Sequence, residues 1–357
     1  MQEFLANGNK IIQQKINDAT AQGVNNVVIT GNYEISDTIY IPSNITLVLE
    51  DCHLRMAKDT FCNMFRNEDL KNQTRDFLSP DTNIRIIGIG RAILDGGEYN
   101  GLSERNSLKD GMPYIGNNWL VFFCNVENFE INNIEVRNQR HWAMTFYSSS
   151  YGKICNIHVV SDYSRIDEHG NIVYGLRRDL YPQTRIKNSD GIDIRLGCHD
   201  ILIENITGFS EDDSVAVTAL FSQYQKEMNW YDSDSIYNIV IKDIRTAAFC
   251  SNVRLLNQGG TKLYNVLIDG VMVQENSKYM DGQYEPAVRI GDIRLYGDRH
   301  STKEETYNIS VNNIFSGKTS ALRLAGEITN CKISNIFGIN NSTLIENHAK
   351  IYNDEAK

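Results

Sequence analysis

Apolar and polar residues alternate along most of the chain, in short runs that begin with the same seven-residue theme. The theme reads Asn, apolar, any, apolar, any, Asn or another polar residue, apolar, and it is rich in Ile and Val. Successive instances start 22 to 49 residues apart, which indicates a basic unit of about 22 to 27 residues with insertions in the wider intervals. The instances begin at Asn44, Asn83, Asn128, Tyr151, Asp200, Asn238, Asn265, Asn308 and Asn330.

A second short apolar run follows the theme at a fixed offset: 12 residues separate Asn308 from Ser320 and Asn330 from Ser342. Alternation in steps of two is typical of half-buried strands. Two or more short strands per unit, with no helical period between them, predict an all-β protein built as a parallel β-helix solenoid. Because a solenoid is one elongated domain at any length, we expect residues 1–357 to form a single domain.

The first residues depart from this alternation. Leu5, Ile12, Ile16 and Ala19 recur at helical spacings, and Gly23 follows as a stop signal. We therefore expect a short α-helix over residues 3–22. Such a helix would cap the first coil of the solenoid, which otherwise exposes its strand edges and interior.

Charge narrows the choice of partners. Thirty-five Lys and Arg against 45 Asp and Glu give a formal net charge of −10, which opposes nonspecific binding to nucleic acid or anionic lipid. No apolar run approaches the ~18 residues that a membrane helix needs. Residues 1–10 lack the basic start and apolar stretch of a secretory signal. We expect no nucleic-acid or membrane partner, and a cytoplasmic protein, or a secreted or periplasmic one whose signal peptide has been removed.

Seven cysteines are dispersed along the chain without any C-x-x-C spacing. Neither a disulfide framework nor a zinc site is predicted from this pattern, and no metal or cofactor is expected. Several cysteines should instead face the core as small apolar side chains. Composition leaves the oligomeric state open.

Candidate chemistry is concentrated in two neighbouring units. Asp190 and Asp212 lie 22 residues apart, one basic unit, so they should be neighbours on one surface, with Asp213 as a third carboxylate. Strict alternation would point Asp193 and Asp212 outward but Asp190 and Asp213 inward. A bend, which Gly191 permits, is then needed to expose the inward pair in an open groove.

Three like charges in one cleft raise one another's pKa, so one carboxyl can hold a proton while the others stay ionised. Cleavage of a glycosidic bond needs this division between an acid and a base. The alternative is that these aspartates are ordinary turn residues and solvated surface charges, as acidic residues on a solenoid usually are.

The sequence around these aspartates resembles glycoside hydrolase family 28, the polygalacturonase-like enzymes of the pectin-lyase-like superfamily. Residues 188–194, Asn-Ser-Asp-Gly-Ile-Asp-Ile, and 211–217, Glu-Asp-Asp-Ser-Val-Ala-Val, are similar to its Asn-Thr-Asp and Gly-Asp-Asp motifs. Residues 89–97 are similar to its Gly-x-Ile-Asp-Gly-x-Gly coil, and residues 141–146 to its tryptophan-containing strand. The resemblance covers most of residues 8–295 and implies a right-handed parallel β-helix and an inverting hydrolase.

Carried over residue by residue, the resemblance implies that Asp212 is the general acid, while Asp190 and Asp213 hold and deprotonate the attacking water. The Gly-His-Gly motif of the family should fall within residues 249–256, where this chain has no histidine. Its Arg-Ile-Lys motif matches Arg289-Ile-Gly, so Gly291 stands where the lysine would be. The resemblance implies a pectin-related or uronate-containing substrate. In the family this arginine and lysine grip the substrate carboxylate, so the missing lysine leaves the sugar itself open.

Substrate-binding candidates surround the aspartates. Asn188 opens the Asn-Ser-Asp motif, and Arg254 and Arg289 could bind sugar hydroxyls or a carboxylate, or else serve as structural partners of the aspartates. Trp230 and Tyr231 lie in an insertion beside the cluster, where aromatic rings suit sugar faces but also commonly pack a loop down.

Two other functions fit a β-helix of this kind. A calcium-dependent polysaccharide lyase would hold Ca²⁺ with clustered carboxylates and abstract a proton with an arginine such as Arg254. A non-catalytic, tailspike-like carbohydrate-binding β-helix would bind sugar without turnover. A lyase product absorbs in the ultraviolet and its formation stops with chelator, whereas a hydrolase releases reducing ends without either sign.

Overall fold

The computed structural model describes residues 3–71, 79–161, 164–167, 169–174, 187–219, 235–273, 285–291, 300–339 and 343–353. Within these ranges nineteen strands form one parallel sheet that winds through the molecule, and two more form a small antiparallel hairpin. The strands are β1 Asn26–Ile35, β2 Ile39–Ile41, β3 Thr46–Met56, β4 Phe65–Asn67, β5 Asp81–Asp95, β6 Val121–Cys124, β7 Val126–Arg137, β8 Met144–Tyr147, β9 Ser150–Val160, β10 Ser164–Ile166, β11 Ile172–Tyr174, β12 Ile192–Ile194, β13 His199–Ser210, β14 Val215–Ala219, β15 Ile236–Ala248, β16 Val253–Asn257, β17 Leu263–Met272, β18 Val288–Ile290, β19 Thr306–Ser316, β20 Ser320–Gly338 and β21 Thr343–Tyr352.

Each coil consists of one short strand and one long strand, and each strand of the large sheet pairs in parallel with its counterpart in the next coil. The short strands β8, β12, β14, β16 and β18 follow one another across one face. Long strands such as β13, β15 and β17 form the remaining faces. One apolar core runs inside the coils from Ile12 to Ile328. This is the predicted right-handed parallel β-helix.

Left-handed backbone positions explain the repeated asparagine. The first residue of every theme has a positive φ, from 52° at Tyr151 to 66° at Asn44. The second polar position is also left-handed, as at Asn133 and Asn205. Because Asn and Asp tolerate this conformation better than other residues with a Cβ, the theme is the sequence of two corners of a coil.

Side chains at the first corner hydrogen-bond from coil to coil and form what we call the asparagine ladder, Asp200, Asn238, Asn265, Asn308 and Asn330. The Asn265 amide Nδ2 donates to Asn238 Oδ1 at 3.0 Å, and its own Oδ1 accepts from Asn308 Nδ2 at 2.9 Å. An amide both donates and accepts, so identical side chains satisfy one another at every step.

The N-terminal helix α1 spans Gly8–Ala21, five residues shorter at its start than predicted. Ile12 and Ile16 are buried as expected and join the core. Leu5 is not part of the helix: it is exposed and forms an isolated parallel bridge with Tyr33. The left-handed Asn7, with φ 58°, separates this bridge from the helix and sets where the helix begins.

A second apolar cluster lies outside the coils, on the outer face of β6 and β8. Trp119 and Trp142 stack with ring centroids 5.3 Å apart, and Phe122 and Tyr147 pack around them. The segment between β5 and β6 carries the four-residue helix α2, Glu104–Ser107, and the short 3-10 helix Ile115–Asn118; another 3-10 helix, Glu68–Lys71, follows β4. Among the described helices none is long and apolar enough to cross a membrane.

The burial of the cysteines agrees with the prediction from the sequence. Cys52 and Cys198 lie in the apolar core, which confirms that several cysteines act as small core side chains.

Candidate active site

The register of the short strands decides which aspartates are neighbours. Ile192 in β12 pairs with Val215 in β14, so equivalent positions in these coils are 23 residues apart, as are Asp190 and Asp213. Asp190 is therefore equivalent to Asp213. The expectation that its equivalent was Asp212, 22 residues along, is corrected by one position.

Each carboxylate of this pair accepts a backbone N–H from the next coil. The Asp213 N–H donates to Asp190 Oδ1 at 3.0 Å, and the Ser251 N–H donates to Asp213 Oδ1 at 2.7 Å. The backbones approach closely at the same point, because a Cβ on Gly191 would lie only 2.5 Å from the carbonyl oxygen of Ser214. Gly191 is thus needed for close packing of two coils.

The aspartates are buried, which contradicts the expected open groove. Asp190 and Asp213 are each 1% exposed and Asp212 is 7% exposed. The hydrogen bonds above draw the carboxylates against the neighbouring coil rather than toward solvent. Asp212 is the most exposed of the three and so is the best placed to meet a ligand that arrives from outside.

Burial and like charge shift the titration of this cluster. Burial raises the pKa of Asp190 well above its ordinary value, and the neighbouring aspartates raise it further. Burial also raises the pKa of Asp213, against the attraction of Arg254, whose Nε lies 3.1 Å from Asp213 Oδ2. Burial therefore favours the protonated form of both Asp190 and Asp213, and repulsion from neighbouring carboxylates adds to it.

Asp193 is a fourth buried carboxylate. It points outward from β12, as alternation predicted, yet it is fully covered. Burial raises the pKa of Asp193 to about 8, in spite of Arg195 and Arg254. The Arg195 Nη1 atom lies 3.5 Å from Asp193 Oδ1, and its guanidinium stacks 4.6 Å from the ring centre of Trp142.

Arginines continue the row beyond the aspartates. Arg254, Arg289 and Arg323 are in register on β16, β18 and β20. Arg254 is a partner of Asp213, which was the structural alternative predicted for it. Glu285 Oε2 lies 3.5 Å from Arg289 Nη1 and 3.3 Å from Arg323 Nη1. The row therefore stacks guanidinium groups over three successive coils, each beside a carboxylate of the protein.

Buried polar groups brace the two acidic turns from behind. The Glu211 carboxylate accepts the Ser189 N–H at 3.2 Å, while Ser189 Oγ donates to the Gln139 carbonyl at 3.3 Å. Lys187 is fully buried and donates to Ser164 Oγ at 3.1 Å; burial lowers the pKa of Lys187 to about 7, although the attraction of Glu211 opposes this. This network ties the turn before Asp190 to the turn before Asp212.

Lys318 holds a third turn in place. Its buried Nζ donates to the carbonyl oxygen of Ala248 at 2.9 Å and to that of Cys250. The Cys250 N–H in turn donates to the Asp212 carbonyl at 3.3 Å. Burial lowers the pKa of Lys318 to about 8, with Asp213 and Asp212 among the groups that oppose this.

Glu104, at the start of α2, contacts the segment just before Asp190. Its Oε1 accepts from Asn188 Nδ2 at 2.7 Å and lies 3.4 Å from His141 Nε2. The Trp119 indole donates to His141 Nδ1 at 2.8 Å. Because an indole N–H can only donate, His141 Nδ1 accepts and Nε2 carries the hydrogen that faces Glu104. Burial opposes ionisation of Glu104, but hydrogen bonds from His141 and Asn188 lower its pKa overall.

A metal ion has a poor ligand set at this position. Ligand atoms of Asp212, Asp213 and Cys250 lie within 4.8 Å of one another. Calcium prefers six to eight oxygen ligands, whereas this group offers two carboxylates and a sulfur, and Arg254 already neutralises Asp213. Among the described residues the donor chemistry does not fit the calcium site of a lyase.

Not every predicted site residue can be placed. Asp190, Asp212, Asp213 and Arg254 come together, Asn188 adjoins them, and Arg289 lies in the same row one coil beyond Arg254. Trp230 and Tyr231 lie outside the described residues. The residues that sequence reasoning missed are Glu104, Lys187, Arg195, Lys318 and Arg323. The only signal for any of these was that residue 211 is a glutamate where the motif has glycine, which implies a buried countercharge such as Lys187.

Comparison with known proteins identifies the family of the chain and its fold. The family model of glycosyl hydrolases family 28 matches residues 38–229. No curated protein sequence matches the chain. Among solved structures, polygalacturonase from Erwinia carotovora ssp. carotovora is 14% identical with a TM-score of 0.62, covering 98% of this chain and 95% of that one.

Two further structures share the fold. An exopolygalacturonase from Thermotoga maritima is 14% identical with a TM-score of 0.56, covering 96% of this chain and 87% of that one. A tailspike protein of E. coli bacteriophage HK620, solved with a pentasaccharide, is 12% identical with a TM-score of 0.59, covering 96% of this chain and 61% of that one. At these identities the likeness shows the β-helix fold alone.

Proposed function

The chain belongs to family 28 of the glycosyl hydrolases and is a glycoside hydrolase, and we propose that it cleaves a pectin-related or uronate-containing polysaccharide with inversion. In this proposal Asp212 protonates the leaving oxygen, and Asp190 and Asp213 hold and deprotonate the attacking water. The lyase and the non-catalytic alternatives are not favoured.

The observation that carries these roles is the hydrogen bond from the Asp213 N–H to Asp190 Oδ1. It brings the Asp190 carboxylate against the backbone of the residue that carries the second carboxyl group, and our proposal is that the two carboxyl groups share one water molecule. Burial makes each a stronger base when ionised than a solvated aspartate. The Arg254 ion pair favours the ionised form of Asp213, so Asp213 is the better candidate for the proton acceptor and Asp190 for the group that orients the water.

Asp212 differs from Asp190 and Asp213 in its exposure, as the proposed role of general acid requires. It is the most exposed of the three, and its carbonyl oxygen is held by Cys250 N–H and Ser210 Oγ. A general acid must reach the substrate oxygen while its backbone stays fixed.

The arginine row supports an acidic sugar on its side of the aspartates. Guanidinium groups bind carboxylates in fixed, often bidentate geometry, and Arg254 and Arg289 are the predicted substrate-binding pair. The polygalacturonase names of two solved structures with this fold agree with a pectin-like substrate. Asn188, Trp230 and Tyr231 remain predicted contacts to sugar.

The test is a screen of uronate-containing and neutral oligosaccharides, with released reducing ends measured and the product anomer followed by NMR. We expect release of reducing ends with an inverted anomer, no ultraviolet-absorbing product and no effect of chelator. Asp212→Asn should lower kcat by about 10²- to 10⁴-fold, the usual contribution of a general acid.

Asp243→Asn is the matched control, because Asp243 is an exposed, left-handed corner residue where other coils carry asparagine. It should leave kcat unchanged. Turnover unaffected by Asp212→Asn would refute the acid assignment, and a retained anomer would refute inversion.

A further inference from the structure

Lys318 is a buried cation that the proposed acid and base steps do not use. It lies between β19 and β20 and is 4% exposed, and its backbone N–H donates to Ser316 Oγ at 3.1 Å. Its side chain reaches the turn before β16, two coils back along the row of short strands. There Nζ donates to the carbonyl oxygen of Ala248 at 2.9 Å and to that of Cys250. The lysine therefore connects its own turn to a distant one.

One peptide group links Lys318 to the proposed base. Cys250 supplies its carbonyl, which accepts from Lys318 Nζ, and Ser251 supplies its N–H, which donates to Asp213 Oδ1 at 2.7 Å. A trans peptide group points its carbonyl and its N–H in opposite directions, so the ammonium and the carboxylate lie at its two ends. A cation at the carbonyl strengthens the hydrogen bond that the N–H donates, because hydrogen bonds in a chain polarise one another.

The equivalent peptide group at Asp190 accepts from neutral donors. Asp190 Oδ1 accepts the Asp213 N–H at 3.0 Å, and the carbonyl of that peptide group belongs to Asp212. This carbonyl accepts from the Cys250 N–H at 3.3 Å and from Ser210 Oγ at 3.2 Å. The two equivalent aspartates are therefore bonded to peptide groups of different polarity, and the one that an ammonium polarises serves Asp213.

Electrostatic attraction acts in the same direction. Burial lowers the pKa of Lys318 to about 8, against the attraction of Cys250, Asp213, Glu285 and Asp212, so Lys318 carries its charge at neutral pH. Attraction acts on both partners, so the ammonium also favours ionised Asp213. Arg254 lies against Asp213 Oδ2, whereas Lys318 acts through Ser251 on Oδ1. The charged and titratable groups around Asp213 are Asp190, Asp193, Asp212, Arg254, Arg289 and Lys318.

Resting on the proposed hydrolase function, we propose that Lys318 is a positioning residue for the base, which keeps Asp213 oriented and ionised through the peptide group between Cys250 and Ser251. In this role the lysine acts through the backbone and not on a reacting atom. The solenoid repeat places Asp190 and Asp213 in equivalent positions, and Lys318 makes their proton affinities unequal. This inequality is what the separate roles of proton acceptor and water-orienting group require.

The experiment measures the titration midpoints of Asp190 and Asp213 by NMR, in a chain whose aspartate Cγ atoms are labelled with carbon-13. Asp190→Asn and Asp213→Asn assign the two resonances. In Lys318→Met we expect the Asp213 midpoint to rise by about 0.5 to 1 pH unit, less than the ~1–3 pH units of an opposite charge in direct contact. The Asp190 midpoint should rise by less than half as much, or fall, because a more protonated Asp213 repels it less.

Lys318→Gln separates charge from hydrogen bonding, since its neutral amide can still donate to a carbonyl. It should also raise the Asp213 midpoint, and it decides the question if Lys318→Met does not fold. Lys332→Met is the matched control: Lys332 is an exposed lysine of β20, so its loss changes net charge equally and should move neither midpoint. Thermal unfolding checks the folding of each variant.

These midpoints need no substrate, which separates this inference from the proposed function. With an active substrate, the acidic limb of kcat/KM should move together with the Asp213 midpoint. A wild-type chain without turnover but with the expected shift in Lys318→Met would refute the hydrolase roles and support the action of Lys318 on Asp213. An Asp213 midpoint that does not rise, an equal rise at Asp190, or failure of both neutral variants to fold would overturn the inference.

Discussion

Asn265 and Asn188 have nearly the same left-handed backbone, with φ of 55° and 57°, but entirely different partners. Asn265 lies in the asparagine ladder, where its amide is bonded to Asn238 and Asn308. Asn188 lies two residues before Asp190 of the proposed site, and its amide is bonded to Glu104 instead. The same corner conformation therefore positions one amide to bind the neighbouring coils and the other to bind Glu104.

The difference lies in whether a side chain can hydrogen-bond to an identical side chain in the next coil. An amide donates and accepts, so stacked asparagines complete one another without any other group. A carboxylate only accepts, so stacking Asp190 on Asp213 leaves like charges in contact. The second arrangement must recruit backbone N–H groups, Arg254 and retained protons. The proposed site thus lies where the solenoid stacks groups that are not self-complementary.

The largest effect on kcat is expected from a substitution that makes the stacked pair Asp190 and Asp213 resemble the asparagine ladder. In Asp213→Asn the new amide can accept the Ser251 N–H but cannot take a proton from water. We expect kcat to fall by about 10²- to 10⁴-fold, the usual contribution of a general base. Asp200→Asn makes the same change within the asparagine ladder and should alter kcat by less than about twofold. If kcat fell equally in both variants, the loss in Asp213→Asn would come from disturbed structure and not from the missing base.

Arg254→Met tests whether the guanidinium sets the ionisation of the base. Without it the pKa of Asp213 rises further, because the opposing attraction is gone. The base must be ionised, so the acidic limb of the pH profile of kcat/KM should move to higher pH, with activity at neutral pH down by about tenfold for each pKa unit. Arg245→Met, at an exposed long-strand position, should not move the limb. An unshifted limb in Arg254→Met would contradict the assigned pair.

Asp193→Asn tests the cost of the buried carboxylate through pH-dependent stability. The folded pKa of Asp193 is about 8 and its ordinary value is 3.8, so between these pH values the folded state binds the extra proton. Its contribution to stability is therefore present at low pH and is lost as pH rises from about 4 to about 8. The variant should gain thermal stability over wild type increasingly across that window. A constant difference from pH 4 to pH 8 would contradict the shift.

The fold could be predicted from the sequence because its cause is local and repeated. Each of the nine themes contains the left-handed corner and the alternating strand. The sequence therefore specifies the same local structure nine times, as at Asn44 and Asn308. The start of α1 could not be predicted this way, since Leu5 fits the helical period but the left-handed Asn7 ends it. Periodicity records burial and does not record where one backbone conformation stops.

The sequence could predict which aspartates lie together, but not their register or their exposure. Asp190, Asp212 and Asp213 were identified from spacing and family motifs, yet a spacing of 22 and one of 23 cannot be told apart when insertions vary the coil length. Glu104 and Lys318 come from outside the motif-bearing coils, and contacts over such sequence distances leave no pattern in either segment. Long-range partners are fixed by packing, which a single sequence does not show.

The smallest expected effect separates the two properties of a ladder asparagine. Asn265→Gly keeps the left-handed backbone at no steric cost but loses both amide hydrogen bonds, whereas Asn265→Ala loses the bonds and also strains the backbone. We expect Asn265→Ala to lose about 1–2 kcal/mol more of the free energy of unfolding than Asn265→Gly, measured by denaturant titration, with kcat of the folded protein unchanged in both. If the two substitutions were equally destabilising, the asparagine would be there for its hydrogen bonds alone. Asn265 and Asn188 would then differ only in the partner that each amide binds, Asn238 and Asn308 in one case and Glu104 in the other.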